Sequence, residues 1–166
     1  MSALGPVEKL RADHELTGSD CGKDELNRFL RRFAFANQQA NSAQTYVACR
    51  GQAVVGYYSL TVGTVAHAEA TERVKKAMPR YPIPVMILAR LAVDKDEHGR
   101  GLGRGLLKDA LLRTAQAADI AGIRALLVHA KDDEVKAFYE QFDFEPSPTD
   151  PYHLLLLIKD VQRLVK

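Results

Sequence analysis

Glycine stands at positions 99, 101, 103 and 105, where an apolar run ends and a new apolar, helix-forming stretch begins. Bare backbone amides at such a junction bind anions at a helix N-terminus. The segment reads Arg90-Leu91-Ala92-Val93-Asp94-Lys95-Asp96-Glu97-His98-Gly99-Arg100-Gly101-Leu102-Gly103-Arg104-Gly105. It divides into a strand end, a polar turn and a glycine loop. A Walker phosphate loop needs Gly-Lys followed by Ser or Thr, and that tripeptide does not occur. The dinucleotide fingerprint G-x-G-x-x-G also fails, because counting from Gly101 and Gly103 the third glycine falls on Leu106. What remains is either a main-chain grip on some other anionic ligand or a glycine-rich connector with no ligand.

His98-Gly99-Arg100-Gly101-Leu102-Gly103 resembles the Q/R-x-x-G-x-G/A signature of the GNAT acetyltransferases, with histidine at the first position. One strand later, Asp132-Asp133-Glu134-Val135-Lys136-Ala137-Phe138-Tyr139-Glu140-Gln141-Phe142-Asp143-Phe144 resembles the family's N-x-x-A-x-x-x-Y-x-x-x-G-F. It departs at Asp132, Val135 and Asp143, while Tyr139 and Phe144 stand where the pattern wants them. Asp143 replaces a glycine, and Asp tolerates left-handed backbone better than most residues. Cys21-Gly22 before an amphipathic helix, Val54-Val55-Gly56-Tyr57-Tyr58-Ser59-Leu60, Arg90-Leu91-Ala92-Val93-Asp94 and Phe138-Tyr139 with Glu145-Pro146-Ser147-Pro148 narrow the likeness. Together they resemble the GNAT toxins of bacterial toxin–antitoxin modules.

The resemblance implies a mixed α/β GNAT fold in a single domain over residues 1–166, with a mostly antiparallel sheet of six to seven strands and flanking helices. It implies acetyl-CoA as acetyl donor and no metal. The backbone of Leu91, Ala92 and Val93 would run beside pantetheine, one amide there facing the developing oxyanion. His98, Gly99, Arg100, Gly101, Leu102, Gly103 and Arg104 would hold the diphosphate, and Asp132 completes the coenzyme set. Tyr139 would protonate the sulfur of CoA. Such toxins acetylate the α-amine of aminoacyl-tRNA and so block translation. A ribbon-helix-helix antitoxin neutralises them, operator DNA is reached only through that complex, and they are commonly homodimers in the bacterial cytoplasm. Two rivals stay open: a GNAT enzyme acting on a protein N-terminus or small amine, and a non-enzymatic module binding acetyl-CoA or DNA.

No general base presents itself, and Glu69 and Glu72 have no assigned place. A lysine amine, with a pKa of about 10.4, is almost fully protonated at neutral pH, whereas an α-amine near ~7.7–8.0 is free in a useful minority of molecules. An α-amine acceptor therefore suits a site without a strong base. His14, His67, His98, His129 and His153 fall into no metal-ligand spacing.

Several elements must position these residues. Pro6 to Leu10 reads as a first strand. Leu26, Phe29, Leu30 and Phe33 follow helical spacing from Asp24 to about Asn37, with Arg28, Arg31 and Arg32 on other faces. Thr45–Arg50 and Ala53–Val62 read as a hairpin across Gly51. One ring of the Tyr57–Tyr58 pair is expected in the core and the other in a cleft or solvent. His67 to Met78 reads as a helix stopped by Pro79, Pro82 and Pro84. Val85 to Val93 is expected to be a central strand buried on both faces. A long helix follows from Leu102 to a C-cap at Gly122. Ile123–Ala130 reads as a strand, Asp133–Glu140 as a helix and Tyr152–Ile158 as a last strand.

The 166 residues, 46% apolar and 27% charged, suit one soluble globular domain. No apolar stretch is long enough for a membrane span, and the N-terminus lacks a signal-peptide pattern. Cys21 and Cys49 are expected to be reduced. The formal charge of +2 hides an uneven distribution: Leu26 to Ala68 contains no Asp or Glu but holds Arg28, Arg31, Arg32 and Arg50. Arg73, Lys75, Lys76, Arg80 and Arg90 extend the basic bias. That polarity points to a large anionic partner such as RNA, with Arg28, Arg31, Arg32, Arg80 and Arg90 as candidate contacts.

Overall fold

The structure is a computed structural model and describes residues 2–166. Strands Glu8–Lys9 (β1), Gln44–Arg50 (β2), Ala53–Val65 (β3), Ile83–Val93 (β4), Ala125–His129 (β5), Glu145–Pro146 (β6) and His153–Leu157 (β7) form one sheet. Its order is β1-β2-β3-β4-β5-β7-β6. β4 and β5 run parallel, whereas β1–β2, β2–β3, β5–β7 and β6–β7 are antiparallel. The helices are Asp24–Arg28 (α1), Ala34–Gln39 (α2), Glu72–Lys75 (α3), Leu102–Ala118 (α4), Asp133–Glu140 (α5) and Ile158–Leu164 (α6). This is the expected mixed α/β architecture. Packing divides it into two compact units, one running to Thr61 together with Ala89–Ala110, the other comprising Val62–Leu88 and Leu111–Lys166.

In the first unit the β2–β3 hairpin turns at Gly51, whose φ of 61° is left-handed. α1 and α2 are joined by a π-helical turn, Phe29–Phe33, instead of forming one regular helix. The wider turn inserts a residue, so Ala34 follows Leu30 into the core and Phe33, expected there, is half-exposed. Phe29, Leu30 and Ala34 pack with Val47, Cys49, Val54, Tyr57 and Ala92. Burial pushes the Cys49 thiol up to about 11, and both cysteines are free.

Tyr57 and Tyr58 are both buried, which corrects the expectation of one ring facing a cleft or solvent. The physical reason is that helices cover β3 on both sides. The Tyr57 hydroxyl donates to the Leu26 carbonyl at 2.8 Å. Tyr58 stacks on Tyr46 and donates to Asp109 Oδ2 of α4 at 2.5 Å. Just before them Gly56 lets α4 come close: a Cβ there would lie 3.0 Å from Leu106 Cδ1 and 3.2 Å from Leu102 Cδ2.

In the second unit Val65, Ala70, Val74, Ile83, Val85, Ala125, Leu127, Leu155 and Leu157 form the core. The helix expected over His67–Met78 is instead a 3-10 turn, His67–Glu69, followed by the single turn of α3. Thr71 caps α3 by accepting from the Val74 amide, and the chain leaves helical geometry at Lys76, where ψ is 126°, just before the left-handed Ala77, whose φ is 62°. Gly122 is not the cap of α4. Tightened bonds from Asp119 N to Gln116 O and from Ile120 N to Ala117 O close the helix beforehand. The last strand ends at Leu157, and Ile158 opens α6, a helix the periodicity did not announce. Asp160 of α6 is buried and bonds Arg73 Nη1 and Nη2 at 2.5 and 3.1 Å.

Candidate active site

Along β4 burial changes midway. Ile83, Val85, Met86 and Leu88 are buried, but from Ala89 onward only Ala92 is. The expectation of a strand sealed on both faces therefore holds for its first half alone. The parallel ladder pairs Val85–Leu88 with Ala125–Val128, and Leu91 and Val93 beyond it are half-buried. At the strand's end the Asp94 amide donates to Val55 O, and the Asp94 carboxylate accepts from the amides of Asp96 and Asp20. That carboxylate ties the turn Lys95–Glu97 to the chain ahead of α1.

Two further contacts fix the loop. His98 Nε2 lies 2.9 Å from the Val93 carbonyl, so its ring is engaged with the strand backbone. Glu97 is buried and bonded to Arg50 of β2 through both carboxylate oxygens. Gly99 and Gly101 take φ of 78° and 80°, which only glycine adopts without strain. A Cβ on Gly99, Gly101 or Gly105 would meet nothing within 4 Å, so these glycines are not there for internal packing. They leave open space at the start of α4. The bond from Gly105 N to Gly101 O is where the helical ladder starts, so the amides of Leu102 and Gly103 lie ahead of it. Leu91 to Arg104 thus forms one contiguous strand–turn–helix cradle with outward-facing room and donor amides.

Asp132 and Tyr139 lie in the other unit, at the two ends of α5. The Asp132 carboxylate caps the helix by accepting from the Val135 amide at 2.9 Å. Tyr139 is 5% exposed and sits edge-on to Phe138 and tilted against Phe144, with ring centroids 5.2 and 5.3 Å apart. Asp143 takes φ of 71°, the left-handed turn expected of the residue in the glycine position. The Tyr139 hydroxyl makes no hydrogen bond among the described residues, yet it is not a sealed atom: Gln44 Oε1 alone is both sealed and unpartnered there. Burial raises its pKa, and no charged neighbour opposes that shift. Tyr139 is therefore a phenol that stays protonated.

The candidate basic residues separate by environment. Arg28 and Arg32 are exposed on the α1 and π-helical stretch. Arg31 is tied to the carbonyls of Leu16 and Ser19. The Arg90 guanidinium stacks 3.6 Å over the Phe29 ring. Arg80 is exposed on the loop before β4, in the second unit. Glu72 pairs with Lys75 at 3.1 Å. Among the described residues no group of three His, Cys, Asp or Glu side chains can hold a metal ion, and no helix is long and apolar enough to cross a membrane. Sequence reasoning missed Glu97 and its partner Arg50, because Asp94-Lys95-Asp96-Glu97 reads as an ordinary solvated turn.

A family model described as an acetyltransferase (GNAT) domain matches residues 41–146, which include the cradle, α5 and Tyr139. The chain belongs to the GNAT family. This GNAT enzyme is an acyltransferase, and it is 48% identical over 165 residues to a tRNA-acetylating toxin of Mycobacterium tuberculosis (strain ATCC 25618 / H37Rv), covering 99% of each chain. It is also similar to AtaT complexed with acetyl-methionyl-tRNAfMet, with a TM-score of 0.90, 28% identity and coverage of 99% of this GNAT chain and 100% of that one. A tyrosine-to-phenylalanine variant of AtaT, bound to the C-terminus of the antitoxin AtaR and to acetyl-CoA, matches with a TM-score of 0.82 and 28% identity, covering 98% and 97%.

Proposed function

We propose that this GNAT enzyme, acting as one domain over residues 1–166, acetylates the α-amine of aminoacyl-tRNA and works as the toxin of a toxin–antitoxin pair. The observation that carries this reading is the cradle at Leu91–Arg104 in a chain 48% identical over its length to a tRNA-acetylating toxin. Acetyl-CoA, when bound, supplies a thioester whose carbonyl an amine attacks. The main-chain amides of Gly99 to Arg104, with His98 and Arg100 beside them, hold the diphosphate. A backbone N–H within Leu91–Val93 would face the oxygen that gains negative charge when the thioester carbonyl is attacked, an interaction typically worth ~3 kcal/mol. Asp132 orients the start of α5. Tyr139 would supply the proton that the CoA sulfur takes as the C–S bond breaks, and would be reprotonated with the proton the attacking amine releases.

Arg28, Arg32 and Arg80 are read as contacts to the tRNA backbone, with Arg31 and Arg90 shaping the surface of the first unit around Arg28 and Arg32. A ribbon-helix-helix antitoxin is the partner we assign, with a homodimeric toxin in the cytoplasm and operator DNA bound only through the antitoxin. The test is to incubate the protein with radiolabelled acetyl-CoA and total charged tRNA. Label in the aminoacyl-tRNA fraction is expected. Label confined to protein N-termini or small amines would sink the tRNA assignment, and absence of transfer to any amine would sink the toxin reading.

A further inference from the structure

Across residues 95–101 the only buried residue is Glu97. A carboxylate beneath amides that hold a diphosphate opposes that ligand electrostatically, so its placement needs a reason. Arg50 supplies part of it. Its Nε and Nη2 each lie 2.9 Å from a different oxygen of Glu97, a two-pronged pairing that fixes direction as well as charge. Arg50 Nη1 also donates to the Ser2 carbonyl, so the guanidinium is held on two sides. The pairing keeps the Glu97 carboxyl below its ordinary range and hence ionised at neutral pH. Arg100 then brings Nη1 to 3.8 Å from Glu97 Oε1 while remaining 61% exposed. That third contact is loose.

We propose that Glu97, oriented by Arg50, restrains Arg100 at the rim of the coenzyme loop until a diphosphate takes the guanidinium. This rests on the reading of Gly99–Arg104 as the diphosphate cradle. The three groups carry one excess cation. Glu97→Gln would raise that to two, Arg50→Gln would reduce it to none, and the double substitution would restore one. Acetyl-CoA should therefore bind more tightly to Glu97→Gln and more weakly to Arg50→Gln, each by about threefold to fivefold at low salt. The double variant should bind like the natural protein. Such factors are of the order one charge exerts on a dianion across roughly 8–10 Å of water-rich surroundings, and they should shrink as salt is raised.

The experiment is isothermal titration of the four proteins with acetyl-CoA, alongside their thermal midpoints without ligand and their kcat and KM. Opposite shifts in affinity and KM, with kcat within about twofold, support the proposal even where both single substitutions lower the midpoint. A purely structural ion pair predicts weaker binding in both single variants, in step with their midpoints, and that result overturns it. Gly101→Val keeps the two readings apart. If Gly101→Val binds acetyl-CoA like the natural protein, the cradle reading falls and this proposal with it. If Gly101→Val loses binding while both charge variants shift together, only the role of Glu97 falls.

Discussion

Tyr139 keeps its proton throughout the range in which an α-amine becomes nucleophilic, because burial acts on it without any opposing positive charge. The sign matters for the pH profile. A phenol with a raised pKa is in its proton-donating form below that value, so it imposes no alkaline loss up to about pH 10. The acidic limb belongs to the acceptor amine, whose free fraction grows with pH. We expect kcat/KM for an aminoacyl-tRNA to rise through the neutral range and then level off without a fall by pH 9.5, as far as the ester bond survives. Tyr139→Phe should lower single-turnover transfer by about 100-fold, in the range usual for one general acid. Because the hydroxyl has no partner among the described residues, its loss should leave the thermal midpoint and the affinity for acetyl-CoA unchanged. An equal loss of binding would assign Tyr139 to packing.

At the scale of elements, the cradle owes its position to the way α4 lies on β3. Gly56 admits the side chains of Leu102 and Leu106, and the Tyr58–Asp109 bond holds the same helix further along. Gly56→Ala should push the first turn of α4 outward, costing about 1–2 kcal/mol in urea denaturation as an overpacked contact does. It should raise the KM for acetyl-CoA more than it lowers kcat. A rigid-body pairing of a different kind secures α6, where Arg73 and Asp160 meet. Arg73 holds the Asp160 carboxyl below its ordinary value. That stabilisation is present above the unfolded carboxyl pKa and fades as pH drops through the lowered one. Water screens half-exposed Arg73, so Asp160→Asn should cost about 2 kcal/mol at pH 7, less than the roughly 3–5 of a fully buried broken pair. The gap between the two proteins should narrow as pH falls below the ordinary carboxyl value and close only beneath the lowered one.

These elements also show what a chain discloses before it is folded. β4, the glycine loop and α4 were legible because strand, turn and helix signals lie within a few residues of one another. Tyr139 and Asp143 were legible by their spacing in a resembling motif, and the φ of Asp143 agrees with it. The π-helical turn at Phe29–Phe33 was not, since a regular 3.6-residue period fits the same apolar residues equally well. α6 was hidden because Ile158 continues an apolar run and only the buried Asp160 distinguishes a helix there. Glu97 was hidden for a different reason: its partner Arg50 is 47 positions away, and only the register of β2 brings the two together.

Over the whole molecule, the charge that survives folding decides what the surface can bind. The stretch from Leu26 to Ala68 has no acidic residue, but folding assigns its arginines to different tasks. Arg50 neutralises Glu97, and Arg31 bonds two backbone carbonyls. Arg28 and Arg32 remain exposed. A phosphate contact releases condensed counterions, so each one lost should flatten the dependence of log(kcat/KM) on log salt by ~0.7–0.9. Arg28→Ala with Arg32→Ala, removing two of the three assigned contacts, should therefore weaken tRNA acetylation most at low salt and cut the effect of adding salt by about two-thirds, with the thermal midpoint unchanged. Arg31→Ala should behave oppositely, lowering the midpoint while leaving the salt slope of the folded fraction alone, because its charge is committed within the chain. Acetylation of a small amine provides the control: with no polyanion to release counterions, it should show little dependence on salt in any of these proteins. An unchanged slope for the double variant would place the tRNA backbone on some other face.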